Sequence, residues 1–294
     1  MAQGFAGGYT PLNRVVDGRL TLTSLTPVTT ADVTGATTIY FTPYKGNSIA
    51  LYTGTNWKMY QFSEISLALG TLTNALPYDV FIYDNAGTLT LEFTAWTNDT
   101  TRATALVLQN GVYVKTGATT RRYLGTFRTT STTTTEDSYG GAHQAGGKRF
   151  LWNAYNRVQR HIGVIDTTDN WSYTTATFRQ ANGNAGNQVA CVIGLSEDLV
   201  SAMARSGYAN NSVTAAFSNG IGIDSVNTNS ALVLGGAILA TGYAIAPAEY
   251  KGYLSVGYHY IAWLEISQAT GTTFWIGDTG VTYVQAGMLV TIMC

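Results

Sequence analysis

Hydrophobic and polar residues alternate with a period of two along most of this chain. Leu89, Leu91 and Phe93 fall on one side of a run whose other side carries Thr88, Thr90, Glu92 and Thr94. A half-buried strand needs that period, because successive side chains leave opposite faces of the pleat. Threonine and the aromatics suit such a surface, since β-branched and flat side chains pack well on it.

The same reading predicts strands over 19–24, 37–42, 48–52, 56–62, 65–69, 80–83, 88–96, 106–109, 112–115 and 121–128. Asn110-Gly111 lies between two of them. Both residues accept positive φ, so a type I′ hairpin turn is expected there. Beyond residue 148, strands are expected over 149–160, 171–180, 188–195, 213–219, 232–240, 253–267, 272–276 and 281–293. Ser196–Ser206 is a helix candidate on the spacing of Leu199 and Met203 alone, and it stays open. No heptad or collagen-type glycine period occurs, which excludes a coiled-coil or collagen-like shaft.

Two stretches interrupt the pattern. Residues 1–17 form a Gly-rich arm, with Phe5 and Tyr9 as its aromatic anchors. Residues 129–148 begin as a threonine run and continue with Gly140, Gly141, Gly146 and Gly147, which reads as a polar break. The expected organisation is therefore an arm over 1–17, an N-terminal β domain over 18–142 and a C-terminal β-sandwich domain over 143–294. The spacing of the strands suits sandwich or jelly-roll architecture.

Composition narrows the function. Charged residues make up 11% of the 294 positions, against roughly 25% in an average soluble domain. Thr supplies 45 residues and Gly 32. An exposed surface normally carries more charge than this, so burial against further subunits is expected. Net charge is −1, and nothing resembles the basic stripe of a nucleic-acid binder. The start lacks the basic and apolar regions of a secretory signal, and no apolar run is long enough to span a bilayer. Synthesis in a cytoplasm without membrane insertion is expected. Cys191 and Cys294 give no disulfide framework, and three sequons (Asn98, Asn170 and Asn210) carry no weight without a signal peptide.

Candidate chemistry is thin. Residues 142–149 approach a phosphate-binding loop, but Ala142 replaces the first glycine and Arg149 the magnesium-binding hydroxyl. A flexible inter-domain loop is expected instead. His143, His161 and His259 lack metal-ligand spacing, and His259 reads as a packed strand residue. Asp166 with Asp169, or Glu136 with Asp137, are the imaginable acid–base pairs for glycan hydrolysis. No catalytic, cofactor-binding or metal-binding residue is assigned on this basis. Aromatic residues concentrate at Tyr40, Tyr44, Tyr52, Trp57 and Tyr60. Exposed rings of that kind stack on sugars, whereas buried ones serve packing.

The segments Arg19–Thr23, Thr26–Thr38, Thr42–Asn47, Tyr78–Asn85, Trp96–Ala103, Lys148–Asn153 and Gly257–Tyr260 together resemble a poorly characterised family of tailed-bacteriophage virion proteins, described as structural or fibre-like. The resemblance spans residues 18–294 and brings no catalytic residues. It implies a virion surface component made in the host cytoplasm, a head decoration, spike or short fibre, commonly trimeric. Its expected partners are further copies of the chain and other virion proteins. Separately, the Gly-rich arm with its anchors Phe5 and Tyr9 is expected to attach the assembly to the particle. The alternative is a receptor-binding fibre or tip that recognises host glycans, and behind it a glycan depolymerase.

Overall fold

Asn110 and Gly111 adopt φ of 52° and 82°, which closes a hairpin between Leu106–Gln109 and Val112–Lys115. The turn forms because both residues tolerate the left-handed region that the twist of the flanking strands requires. The computed structural model describes residues 12–140, 146–212, 215–238, 244–280 and 284–294. Among them no α-helix occurs, only the 3₁₀ turns Leu12–Arg14 and Ala181–Gly183. The protein is all-β.

Its strands form two large cores. In the first half, Pro77–Asn85 lies between Thr88–Asn98 and Ala118–Arg128 in one antiparallel sheet. Gly18–Thr21, Thr38–Pro43 and Ile65–Ala68 make a second sheet, and Ser48–Tyr52 with Trp57–Gln61 a separate hairpin. Leu20, Ile39, Phe41, Ile49, Val80, Ile82 and Phe127 are buried between them. In the second half, Gln188–Ile193, Gly257–Ser267 and Ala216–Ile223 run together in one sheet. A facing sheet orders Gln159–Ile165, Gly287–Met293, Leu199–Asn210, Ala244–Tyr253 and Val233–Leu234. Trp263, Trp275, Tyr208, Met288 and Ile162 fill the space between the two.

Strands are exchanged across the region expected to separate two domains. Val33–Ala36 pairs with Thr135–Asp137, which pairs with Lys148–Arg149, and that strand runs parallel to Gln188–Ile193. In the other direction, Leu151–Asn153 joins Ala118–Arg128 in the first-half sheet. The threonine run is folded rather than loose. Thr129 and Thr135 are fully buried and bridged, and Thr129 Oγ1 donates to Thr73 C=O at 2.8 Å.

Three further expectations change. Ser196–Ser206 is no helix, because Leu199–Asn210 is a strand in the middle of its sheet. Ala244–Tyr253 is a strand the alternation did not reveal. Residues 12–17, expected to belong to the arm, are built into the fold. Asp17 alone accepts from Tyr44, Lys45 and Ser48 backbone N–H groups, and Val16 is buried.

Candidate functional site

Three of the four carboxylates that suggested catalysis are occupied structurally. Asp137 is buried and bridges Arg149 at 3.1 Å and Arg160 at 3.3 Å. Its neighbour Glu136 points elsewhere, to Lys148 at 3.0 Å and Ser138 at 2.5 Å. Asp166 is buried and accepts from Asn187 Nδ2 at 2.6 Å, Thr168 N at 2.9 Å and Asn182 Nδ2 at 3.2 Å. Burial raises its pKa, but those donors outweigh burial and hold it below the usual carboxylate value. Asp169 is exposed and offers its backbone C=O to Gly277. Neither pair forms an acid and base around an open cleft.

One constellation was illegible in the sequence. His259 Nδ1 lies 2.7 Å from Asp224 Oδ2, and Nε2 lies 3.3 Å from Ser255 Oγ. This looks like a nucleophile, base and orienting acid. The decisive contact is a third one, because Nε2 also sits 2.8 Å from the Ser255 carbonyl oxygen. That oxygen can only accept, so Nε2 carries a proton and has no lone pair free to activate the hydroxyl. With a carboxylate at Nδ1 as well, the surroundings favour the imidazolium form. Burial works against this charge, yet the bonds to Asp224 and the Ser255 carbonyl raise the pKa above the ordinary histidine value. The group is a structural ion pair.

The expected aromatic platform is dispersed. Tyr52 and Trp57 meet across a hairpin at 5.6 Å, and Trp57 Nε1 donates to Asn110 Oδ1. Tyr60 donates to Asp84 at 2.8 Å, and burial with that carboxylate pushes its pKa up to about 12. Tyr40 lies in another sheet, and Tyr44 on the loop that follows. Cys191 and Cys294 are free and buried. Among the described residues, no group of three or more His, Cys, Asp or Glu side chains could hold a metal. No helix among them is long and apolar enough to cross a membrane. Phe5 and Tyr9, like His143 and residues 142–145 of the loop, lie outside the described residues; Lys148 and Arg149 form a strand.

The feature that sequence reasoning missed is a sheet face that no other described residue covers. In Leu199–Asn210, the residues Val200, Ala202, Ala204, Ser206 and Tyr208 point into the core. The alternate positions Leu199, Met203, Arg205 and Gly207 point away from it. The register places Met203 beside Leu289 on one side and Glu249 on the other. Gly207 stands beside Ile245 and Ile276, and Leu199 beside Tyr253. Ile245 is 61%, Tyr253 62% and Leu289 46% exposed. A depression of about 720 Å³ opens on this face between Gly207, Ile245, Phe274, Ile276 and Val284. It continues past Arg205 and Gln285 into smaller hollows of about 210 and 180 Å³. Gly207 forms its floor by lacking a side chain.

No family model matches the chain, and no curated protein does. Among solved structures, it is similar to the tryptic core of a Bacillus thuringiensis Cry1Da variant at 10% identity. That match covers 88% of this chain and 48% of the other, with a TM-score of 0.19. An exo-β-1,3-galactanase variant from Phanerochaete chrysosporium with β-1,3-galactotriose matches at 10% identity, over 90% and 56% of the two chains, with a TM-score of 0.17. The chain thus spans about half the length of these proteins.

Proposed function

We propose that this chain is a non-catalytic structural protein of a bacteriophage virion surface, a head decoration, spike or short fibre. In this reading it has two β-sandwich-like halves and assembles as a homotrimer beside other virion proteins. One observation carries it: an apolar sheet face is left open in a chain whose carboxylates are largely taken up by internal bonds. Contiguous exposed apolar patches of several hundred Å² mark interaction sites. The sequence resemblance to virion proteins supplies the setting, and an assembled β-structure supplies a reason for the low charge. Gold-labelled antibody against the chain, imaged on intact particles, should decorate the head or tail surface. Particles that lack the chain altogether would overturn the reading.

Recognition of host glycans by a fibre tip is the second reading, favoured by the half-exposed Tyr52 and Trp57 rings. Aromatic faces of that kind stack on the apolar side of a pyranose. Loss of adsorption by a Trp57→Ala particle of normal assembly would select it.

A further inference from the structure

The open face carries charge of both signs as well as apolar side chains. Arg205, Glu249 and Lys251 project from it, and none of their side chains has an ion-pair or hydrogen-bond partner among the described residues. Arg205 is registered to Pro247 and Glu249 to Met203, so the two charges stand on neighbouring strands, one step apart along the diagonal. Around them lie Met203, Ile245 and Leu289, a greasy field with one anion and two cations, Arg205 and Lys251, set into it. Elsewhere the arrangement differs, as the pairs of Asp79 with Arg102 and of Asp137 with Arg149 close within the chain.

We propose that this face is where a second copy of the chain docks, with Arg205 of one copy paired to Glu249 of the next. This rests on the assembly reading above and names its surface. Two arguments select a second copy over an unrelated partner. The first is complementarity: covering Arg205 or Glu249 without a counter-charge would strand a desolvated ion. A second copy brings both signs, and apolar side chains of its own to cover the field around them. The second is area. The four adjoining strands Gln159–Ile165, Gly287–Met293, Leu199–Asn210 and Ala244–Tyr253 are 7, 7, 12 and 10 residues long, and at a spacing of about 4.8 Å they present roughly 600 Å², near the ~800 Å² per partner of a stable interface. The hollow over Gly207 then receives a side chain of the neighbouring copy.

The test is the mass of the full chain in solution by light scattering, with circular dichroism to check the fold. The unaltered chain should have the mass of several copies. Ile245→Lys and Leu289→Lys replace exposed side chains, and each should reduce the mass to one copy with the spectrum unchanged. Arg205→Glu and Glu249→Arg should each weaken association at least tenfold, and the double charge swap should restore it. If the face variants keep the multiple mass, assembly uses another surface and this inference falls while the assembly reading stands. A single-copy mass for the unaltered chain at micromolar concentration would overturn both. If the double swap restores thermal stability at dilutions where all forms are single, the pair closes within one chain and the inter-copy pairing is wrong.

Discussion

The side chain of Asn153 takes the place of a backbone neighbour for Leu20. Leu20 N donates to Asn153 Oδ1 at 2.7 Å, and Asn153 Nδ2 donates to the Leu20 carbonyl at 3.3 Å. Both residues are buried, so one amide satisfies a donor and an acceptor that water cannot reach. The contact joins the strand Gly18–Thr21 to Leu151–Asn153, residues that are far apart in sequence. Asn153→Ala should cost about 1–3 kcal/mol through the orphaned Leu20 groups. Urea unfolding checks this, and an unchanged midpoint would show that the two strands hold without the amide.

Asp137 should be the more damaging site. Its carboxylate lies between the buried guanidinium groups of Arg149 and Arg160. Replacement by Asn leaves two buried cations facing each other without a counter-charge. Breaking a buried pair in this way costs about 3–5 kcal/mol. A melting temperature within two or three degrees of the parent would contradict the assignment of Asp137 as the shared anion.

The His259 ion pair predicts a pH effect of defined sign. Its folded pKa is raised by Asp224 and the Ser255 carbonyl against the opposing effect of burial. Its contribution is therefore fully present below the unfolded value of about 6.5, and is lost as pH rises through the higher folded value. His259→Gln should flatten stability across that window and leave it lower at acid pH. NMR titration of the imidazole gives the folded value directly, and a value below that of a free histidine would refute the ion pair.

Asp166 behaves in the opposite sense. Its folded pKa is lowered, so its contribution exists above about 3.9, the unfolded value, and disappears as pH falls through the folded one. Asp166→Asn turns one carboxylate oxygen into a donor that faces the donors of Asn182 and Asn187. A loss of about 1–3 kcal/mol is expected at neutral pH, shrinking as the parent is acidified. A constant difference down to pH 2 would show that packing, not charge, sets the cost.

The parts of this fold that were legible are those where polarity and period agree. The strand Thr88–Asn98 alternates in polarity as far as Ala95, and Asn110-Gly111 demands one turn type, so both appeared where the pattern put them. Leu199–Asn210 was ambiguous for a geometric reason. Residues four apart share a face in a helix and in a strand alike, and the inward Ala202 and Ala204 add little hydrophobic contrast. Ala244–Tyr253 hides in the same way behind Ala246 and Ala248, with Pro247 between them. The open face was illegible because Leu289 sits between Met288 and Val290. A run apolar on both sides reads as fully buried, and the chain alone does not say that its outer side is left for another surface. The Asp224 contact of His259 joins residues 35 positions apart, a proximity that only the fold creates.

The N-terminal boundary yields the last prediction. An arm over residues 1–17 would be removable without harm if the fold began at Gly18, but the chain is anchored earlier. Val15 C=O accepts from Ala50 N at 3.0 Å, and Asp17 N donates to Ser48 C=O at 2.9 Å. Arg122, buried and without a carboxylate partner among the described residues, donates to the carbonyls of Ala50 at 2.7 Å and Val15 at 3.4 Å. Cutting after residue 17 takes away one of those acceptors, the Asp17 carboxylate beneath Ser48 and the buried side chain of Val16. Cutting after residue 11 spares all three. The longer truncation should therefore be less stable than the shorter by about 2–4 kcal/mol, from one apolar side chain and several buried hydrogen bonds. Failure of the longer truncation to join particles would then report a damaged fold as much as a lost attachment, so the role of Phe5 and Tyr9 is tested with the shorter one. Equal melting temperatures for the two truncated chains would show that residues 12–17 lie on the fold without supporting it.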